Sequence, residues 1–124
     1  MRKGRIDYRM QRRAVLRDVS VGLRSRDDVC DAHPDLVRAS QHIGTAVDED
    51  CPLCGGGTLV QVTYVFEGRH RGPRSGRAVP RESLAQQVER HGDLDVYTVE
   101  VCPRCRWHHL IESFLLVARG SAVG

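Results

Sequence analysis

Two short motifs, Cys51-Pro-Leu-Cys54 and Cys102-Pro-Arg-Cys105, give the chain four thiols in matched C-x2-C pairs. Thiolate sulfur is a preferred ligand of tetrahedral Zn2+, and a two-residue gap lets one tight turn aim both sulfurs of a pair at the same point. Proline after the first cysteine of each pair pre-sets φ for that turn, and Gly55 supplies a permissive backbone where the chain leaves it. Arg106 holds the equivalent place after the second pair, where a left-handed conformation costs about 1 kcal/mol or more. A redox C-x-x-C would account for one motif but not for two matched ones. The expectation is one structural Zn2+ per chain, bound by Cys51, Cys54, Cys102 and Cys105. Such a site has no open position with which to activate water. The chain also lacks a glycine-rich phosphate loop before a lysine and a nucleophile elbow, and its carboxylates are scattered. The sequence therefore predicts neither an enzyme nor a small-molecule substrate.

Other candidate ligands read differently. Cys30 and His33 stand at i, i+3, but a cysteine between Val29 and Ala32 on an apolar helix face reads as a small buried hydrophobe. His108 and His109 follow the second pair closely, yet neighbours on a strand point to opposite faces, so they cannot both approach one metal.

These groups must be positioned by a chain of 124 residues, enough for one domain or for a small module beside another. The basic N-terminus is followed by no apolar signal region, and no run reaches membrane-spanning length. The sequence predicts a soluble cytoplasmic protein with no membrane partner, in a compartment where paired cysteines more often bind metal than form disulfides. The formal charge of +3 decides little, because metal binding releases four thiol protons and adds two positive charges. Distribution says more: arginines cluster at residues 2 to 17 and 69 to 81, and acids at 27 to 35 and 48 to 50. Lys3 is the sole lysine, a bias that also suits a GC-rich genome. The candidate phosphate contacts are Arg5, Arg9 and Arg13, at i+4 steps on an expected helix, and Arg69, Arg71, Arg74, Arg77 and Arg81 in a Gly- and Arg-rich loop.

The expected fold is α+β: three short helices over residues 1–45, then a three-stranded antiparallel zinc ribbon over 46–124 with a loop and a helix inserted at 67–93. Spacing of Tyr8, Val15 and Val19 predicts a helix over residues 6–20. Ser25 before Asp27 and Asp28 signals a second helix start, and Pro34 opens a third that ends at Gly44. That third helix would offer Arg38, Gln41 and His42 to bases if the helices form a helix-turn-helix. Residues 46–50 read as an acidic linker. From Thr58 the chain alternates as a strand, with Leu94 to Val101 as its partner. Residues 81–91 read as a short helix after Pro80, stopped by Gly92. The run from Trp107 to Val117 fits a strand completing the ribbon; a helix there would give a treble-clef module instead.

The order CPxCG, strand, loop, strand, CPxC, strand over residues 51–117 resembles the zinc ribbon of transcript-cleavage elongation factors and small RNA polymerase subunits. In those factors an acidic pair at the loop tip helps to hold a catalytic metal. Here that loop carries arginines and no adjacent acids, so the resemblance implies the fold and the four ligands alone. Through RIDYRMQRRAVLRDV, DDVCDAHPDL and VCPRCRWHHL the whole chain also resembles an uncharacterised family of small zinc-ribbon proteins from high-GC Gram-positive bacteria. The function expected is a non-enzymatic accessory factor of transcription or translation that contacts nucleic acid or a ribonucleoprotein, with RNA polymerase or the ribosome and its RNA as leading partners. The alternative is a protein-binding adaptor whose contact surface is Trp107 and the acidic Asp27 to Asp35 segment.

Overall fold

The computed structural model describes residues 1–67 and 76–118. In chain order these form β1 (Arg2–Asp7), α1 (Arg9–Ser20), α2 (Arg26–Val29), α3 (Pro34–His42), β2 (Thr45–Asp50), β3 (Thr58–Glu67) and β4 (Arg77–Val79). A 3-10 turn (Arg81–Ser83), α4 (Leu84–His91), β5 (Leu94–Val101) and β6 (His108–Leu116) follow. The architecture is α+β, built on an antiparallel sheet of order β1-β6-β5-β3-β2, with β4 paired to β3 beyond the end of β2.

Alternation along β3 decides which side chains each helix covers. Leu59 and Val65 face one way, where α1 and α4 pack. There Val15, Leu16 and Val19 of α1 meet Leu59 and Trp107, while Leu84 and Val88 of α4 meet Val65, Val96 and Phe114. Val60, Val62 and Tyr64 face the other way, where Leu36, Val37 and Ala39 of α3 cover them together with Val99 and Val101 of β5. Register Val62 to Val99 and Val65 to Val96 keeps these branched side chains opposite one another on both faces.

Local chemistry explains the helix boundaries. Ser25 and Asp28 form a reciprocal capping box at α2. Pro34 occupies the first turn of α3, where its missing N–H costs nothing, and the His33 ring accepts from the Asp35 N–H. At φ 81°, Gly92 ends α4.

Several expectations are corrected. The sheet has six strands among the described residues, not three. Residues 2–7 are a strand, and α1 starts only at Arg9, so Arg5 does not stack with Arg9 and Arg13 on one helix. Edge pairing with β6 outweighs the helical pattern: Arg2 lies over the Phe114 ring, 4.6 Å from its centroid, and Arg5 Nε donates to Glu112 at 2.7 Å. Residues 45–50 form β2 rather than a linker, and residues 77–79 form β4. Residues 108–116 are a strand, which removes the helix of the treble-clef alternative. The expected module boundary after residue 45 falls one residue inside β2, and β1 pairs across it with β6. No helix among the described residues is long and apolar enough to cross a membrane.

Candidate metal centre

The two cysteine pairs sit in turns of the same design. The N–H of Gly55 donates to Cys51 O at 3.0 Å, and the N–H of Arg106 donates to Cys102 O at 2.8 Å. Behind each turn the chain closes again, through Cys51 N–H to Gly57 O at 2.7 Å and Cys102 N–H to Trp107 O at 2.9 Å. Both turns need a positive φ at the residue after the second cysteine, met by Gly55 at 65° and by Arg106 at 72°. The strain at Arg106, about 1 kcal/mol, is offset by its guanidinium, which donates from both Nε and Nη2 to Ala32 O.

Cys51 and Cys102 are buried, whereas Cys54 and Cys105 are half-buried, and all are free thiols. Their four sulfurs lie within 4.8 Å of one another. Cys51 Sγ is 3.6 Å from Cys105 Sγ, and Cys54 Sγ is 3.7 Å from Cys102 Sγ. Sulfurs at about 2.3 Å from a tetrahedral centre stand about 3.8 Å apart, so the cluster has the dimensions of a four-thiolate metal site. Backbone N–H groups of Leu53 and Cys105 aim at Cys51 Sγ and Cys102 Sγ, at 3.4 and 3.5 Å, the arrangement that suits thiolates. The Gly56 N–H is the main cause of a Cys54 pKa lowered to about 7, while burial pushes the Cys51 and Cys105 thiols up. A bound cation would supply the missing counter-charge and hold these sulfurs ionised. The arrangement can hold one metal ion through Cys51, Cys54, Cys102 and Cys105.

Close approach fixes the residues around the sulfurs. A Cβ at Gly57 would lie 2.5 Å from Cys102 Sγ, so no larger residue fits without moving a ligand. Arg104 Nη1 donates to Gly56 O at 3.2 Å, linking one turn to the other. Trp107 is fully buried against the cluster and stacks on His109, with ring centroids 5.9 Å apart. Its Nε1 donates at 2.7 Å to Glu100 Oε2, which also accepts from Arg12 Nε at 2.7 Å. This burial overturns the expectation that Trp107 provides a contact surface. His108 turns to the opposite face, where its Nε2 meets Asp31 Oδ1 at 2.9 Å.

Cys30 is half-buried at the C-terminal cap of α2, with its Sγ 3.7 Å from Cys105 Sγ. Sequence reasoning missed this neighbour of the cluster, because nothing in its spacing matches the other four. Its candidate partner His33 instead caps α3.

The expected phosphate contacts among the described residues differ in their partners. Arg9 and Arg13 are exposed on α1, with no ion-pair partner among the described residues. Arg5 and Arg81 both reach Glu112, at 2.7 and 3.8 Å. Arg77 is engaged by Glu67 at 3.5 Å and by Gln87 Oε1 at 2.9 Å. Arg69, Arg71 and Arg74 lie outside the described residues. A basic cleft of about 390 Å³ joins Arg38 and Gln41 of α3 to Arg104 and Arg106 of the second cysteine turn. Only the α3 half of it was legible in the sequence.

The family model described as "Family of unknown function (DUF5318)" matches residues 1–123. The chain belongs to this family. It is similar to the uncharacterized protein Rv0049 of Mycobacterium tuberculosis and the uncharacterized protein Mb0050 of Mycobacterium bovis, each 39% identical over 113 residues. Each alignment covers 91% of this chain and 82% of the relative. No solved structure is a significant match.

Proposed function

We propose that this DUF5318 protein is a non-enzymatic accessory factor of transcription or translation, built as a zinc ribbon around one structural Zn2+ and contacting nucleic acid or a ribonucleoprotein through arginine. The convergence of four sulfurs at tetrahedral spacing carries the reading, because an all-thiolate shell leaves the metal saturated and makes it a cross-link between the β2–β3 turn and the β5–β6 turn. Binding of such a metal contributes on the order of 10 kcal/mol to folding, which offsets the small core of a chain this size.

The nucleic-acid part is supported by the exposed Arg9 and Arg13 and by Arg69, Arg71 and Arg74 in the sequence, whereas in the cleft Arg38 pairs with Asp35 at 2.9 Å and Arg106 is held by Ala32 O. Arg5, Arg77 and Arg81 are tied to carboxylates and serve the scaffold. RNA polymerase and the ribosome are the partners to examine first. Zinc-loaded protein should bind labelled single-stranded RNA or duplex DNA with strong salt dependence. For about four neutralised phosphates, affinity falls roughly a hundredfold between about 50 and 200 mM salt. Replacing Arg9, Arg13, Arg69, Arg71 and Arg74 by serine should flatten that slope and weaken binding similarly for all sequences. No binding at the lower salt, together with unchanged cellular partners for the serine variant, would replace this reading with the adaptor.

A further inference from the structure

The four ligand sulfurs pair among themselves, but Cys105 has a second sulfur neighbour, Cys30 Sγ at 3.7 Å, as near as Cys51 Sγ at 3.6 Å. The placement of Cys30 is anchored from both sides. Its own N–H donates to Arg26 O at 2.8 Å, and Val29 before it is buried among Cys51, Leu59, Cys102 and Trp107. After it, the Ala32 N–H donates to Arg106 O at 3.0 Å, Ala32 O accepts the Arg106 guanidinium, and Asp31 holds His108. The segment joining α2 to α3 is thus clamped onto the second cysteine turn, and the fifth thiol of the chain is delivered to a ligand without being one of the four.

We propose that Cys30 and Cys105 form a peroxide-sensitive modification site, in which Cys30 resolves oxidation of Cys105 as a disulfide and so removes one metal ligand. The inference rests on the metal reading above, since a metal-bound Cys105 is a thiolate and hence nucleophilic. The Cys105 sulfur attacks one oxygen of hydrogen peroxide; the O–O bond breaks, hydroxide leaves and a sulfenic acid remains. The Cys30 sulfur then attacks the Cys105 sulfur, an S–S bond forms, and the sulfenic oxygen leaves with the Cys30 proton as water. Two electrons pass from the two sulfurs to the peroxide. Cys105 and Cys30 are half-buried and open to a small oxidant, whereas Cys51 and Cys102 are buried. Cys30 is also the one thiol that can resolve Cys105 without withdrawing a second ligand. Oxidised Cys54, by contrast, has the ligand Cys102 as its sulfur neighbour at 3.7 Å.

The test uses full-length zinc-loaded protein treated with one equivalent of hydrogen peroxide. Zinc release is followed with a chromogenic chelator, and the products by intact mass and peptide mapping. The expected result is loss of two hydrogens, a Cys30–Cys105 disulfide as the main early product, zinc release in step with it, and recovery after thiol reduction and zinc addition. Cys30→Ser should bind zinc one to one with an unchanged circular dichroism spectrum, release it several-fold more slowly, and accumulate unresolved sulfenic acid at Cys105, trapped with dimedone before mapping. Zinc release at the same rate from Cys30→Ser, or a wild-type disulfide joining Cys51 to Cys105 or Cys54 to Cys102, overturns the proposal. Wild-type mapping stands even if the variant folds poorly. Protein that never binds zinc would instead mark the failure of the metal reading.

Discussion

Arg12→Met should detach α1 from the sheet and lower the stability of the whole chain. No residue of α1 is fully buried, so the helix rests on half-buried Val15, Leu16 and Val19 and on the Arg12 to Glu100 pair. The Glu100 side chain is 6% exposed and that of Arg12 18%, which makes this the least solvated ion pair among the described residues. Removing one partner of a buried pair costs about 3–5 kcal/mol, because the other charge is left unpaired. Here the Trp107 Nε1 bond to Glu100 survives, and water can follow the shortened side chain, so roughly 2–3 kcal/mol is expected. For a chain of this size that lowers Tm by roughly 6–15 °C. Thermal unfolding of zinc-loaded protein gives the global loss, and hydrogen exchange read by mass spectrometry should show α1 amides losing protection before β3 and β5. Adding Glu100→Gln to Arg12→Met should recover at least about 1 kcal/mol, since a neutral amide oxygen still accepts from Trp107 without an unpaired charge. A loss below about 0.5 kcal/mol for Arg12→Met, the range of ordinary surface changes, would show that water already solvates this pair.

Gly57→Ala puts a methyl group 2.5 Å from Cys102 Sγ and should weaken zinc binding by about ten- to hundredfold in a chelator competition, whereas Gly55→Ala should act through backbone strain at φ 65° with nothing to clash. Trp107→Phe removes the indole N–H from Glu100 and leaves a void beside the cluster, and should cost about 2–4 kcal/mol in urea unfolding. Arg106→Gly relieves φ 72° but loses the hydrogen bonds to Ala32 O; proteolysis should then cleave faster between residues 30 and 34, while zinc stoichiometry stays the same.

The four-cysteine cluster was legible because C-x2-C spacing is a local geometric requirement, and β3 and β5 because alternation over a half-buried surface leaves a plain period of two. β1 and β2 were not. Their residues, Arg2 to Asp7 and Thr45 to Asp50, are nearly all exposed, and their order comes from backbone pairing to β6 and β3, which leaves no trace in side-chain pattern. Trp107 misled for a related reason: its type suits a contact surface, and only the buried Glu100 partner shows why an indole is needed inside. The nearness of Cys30 to Cys105 was not legible, because it depends on a clamp between segments 74 residues apart, Ala32 and Arg106, that no spacing rule encodes.

The most direct test of the central claim is metal analysis of the native protein by mass spectrometry, with X-ray absorption at the zinc edge. The account predicts one zinc per chain with four sulfur scatterers at about 2.3 Å, retained in Cys30→Ala and lost in Cys102→Ser together with the folded state. A well-folded, metal-free protein carrying disulfides between these cysteines, or a zinc shell containing nitrogen or oxygen, would contradict it.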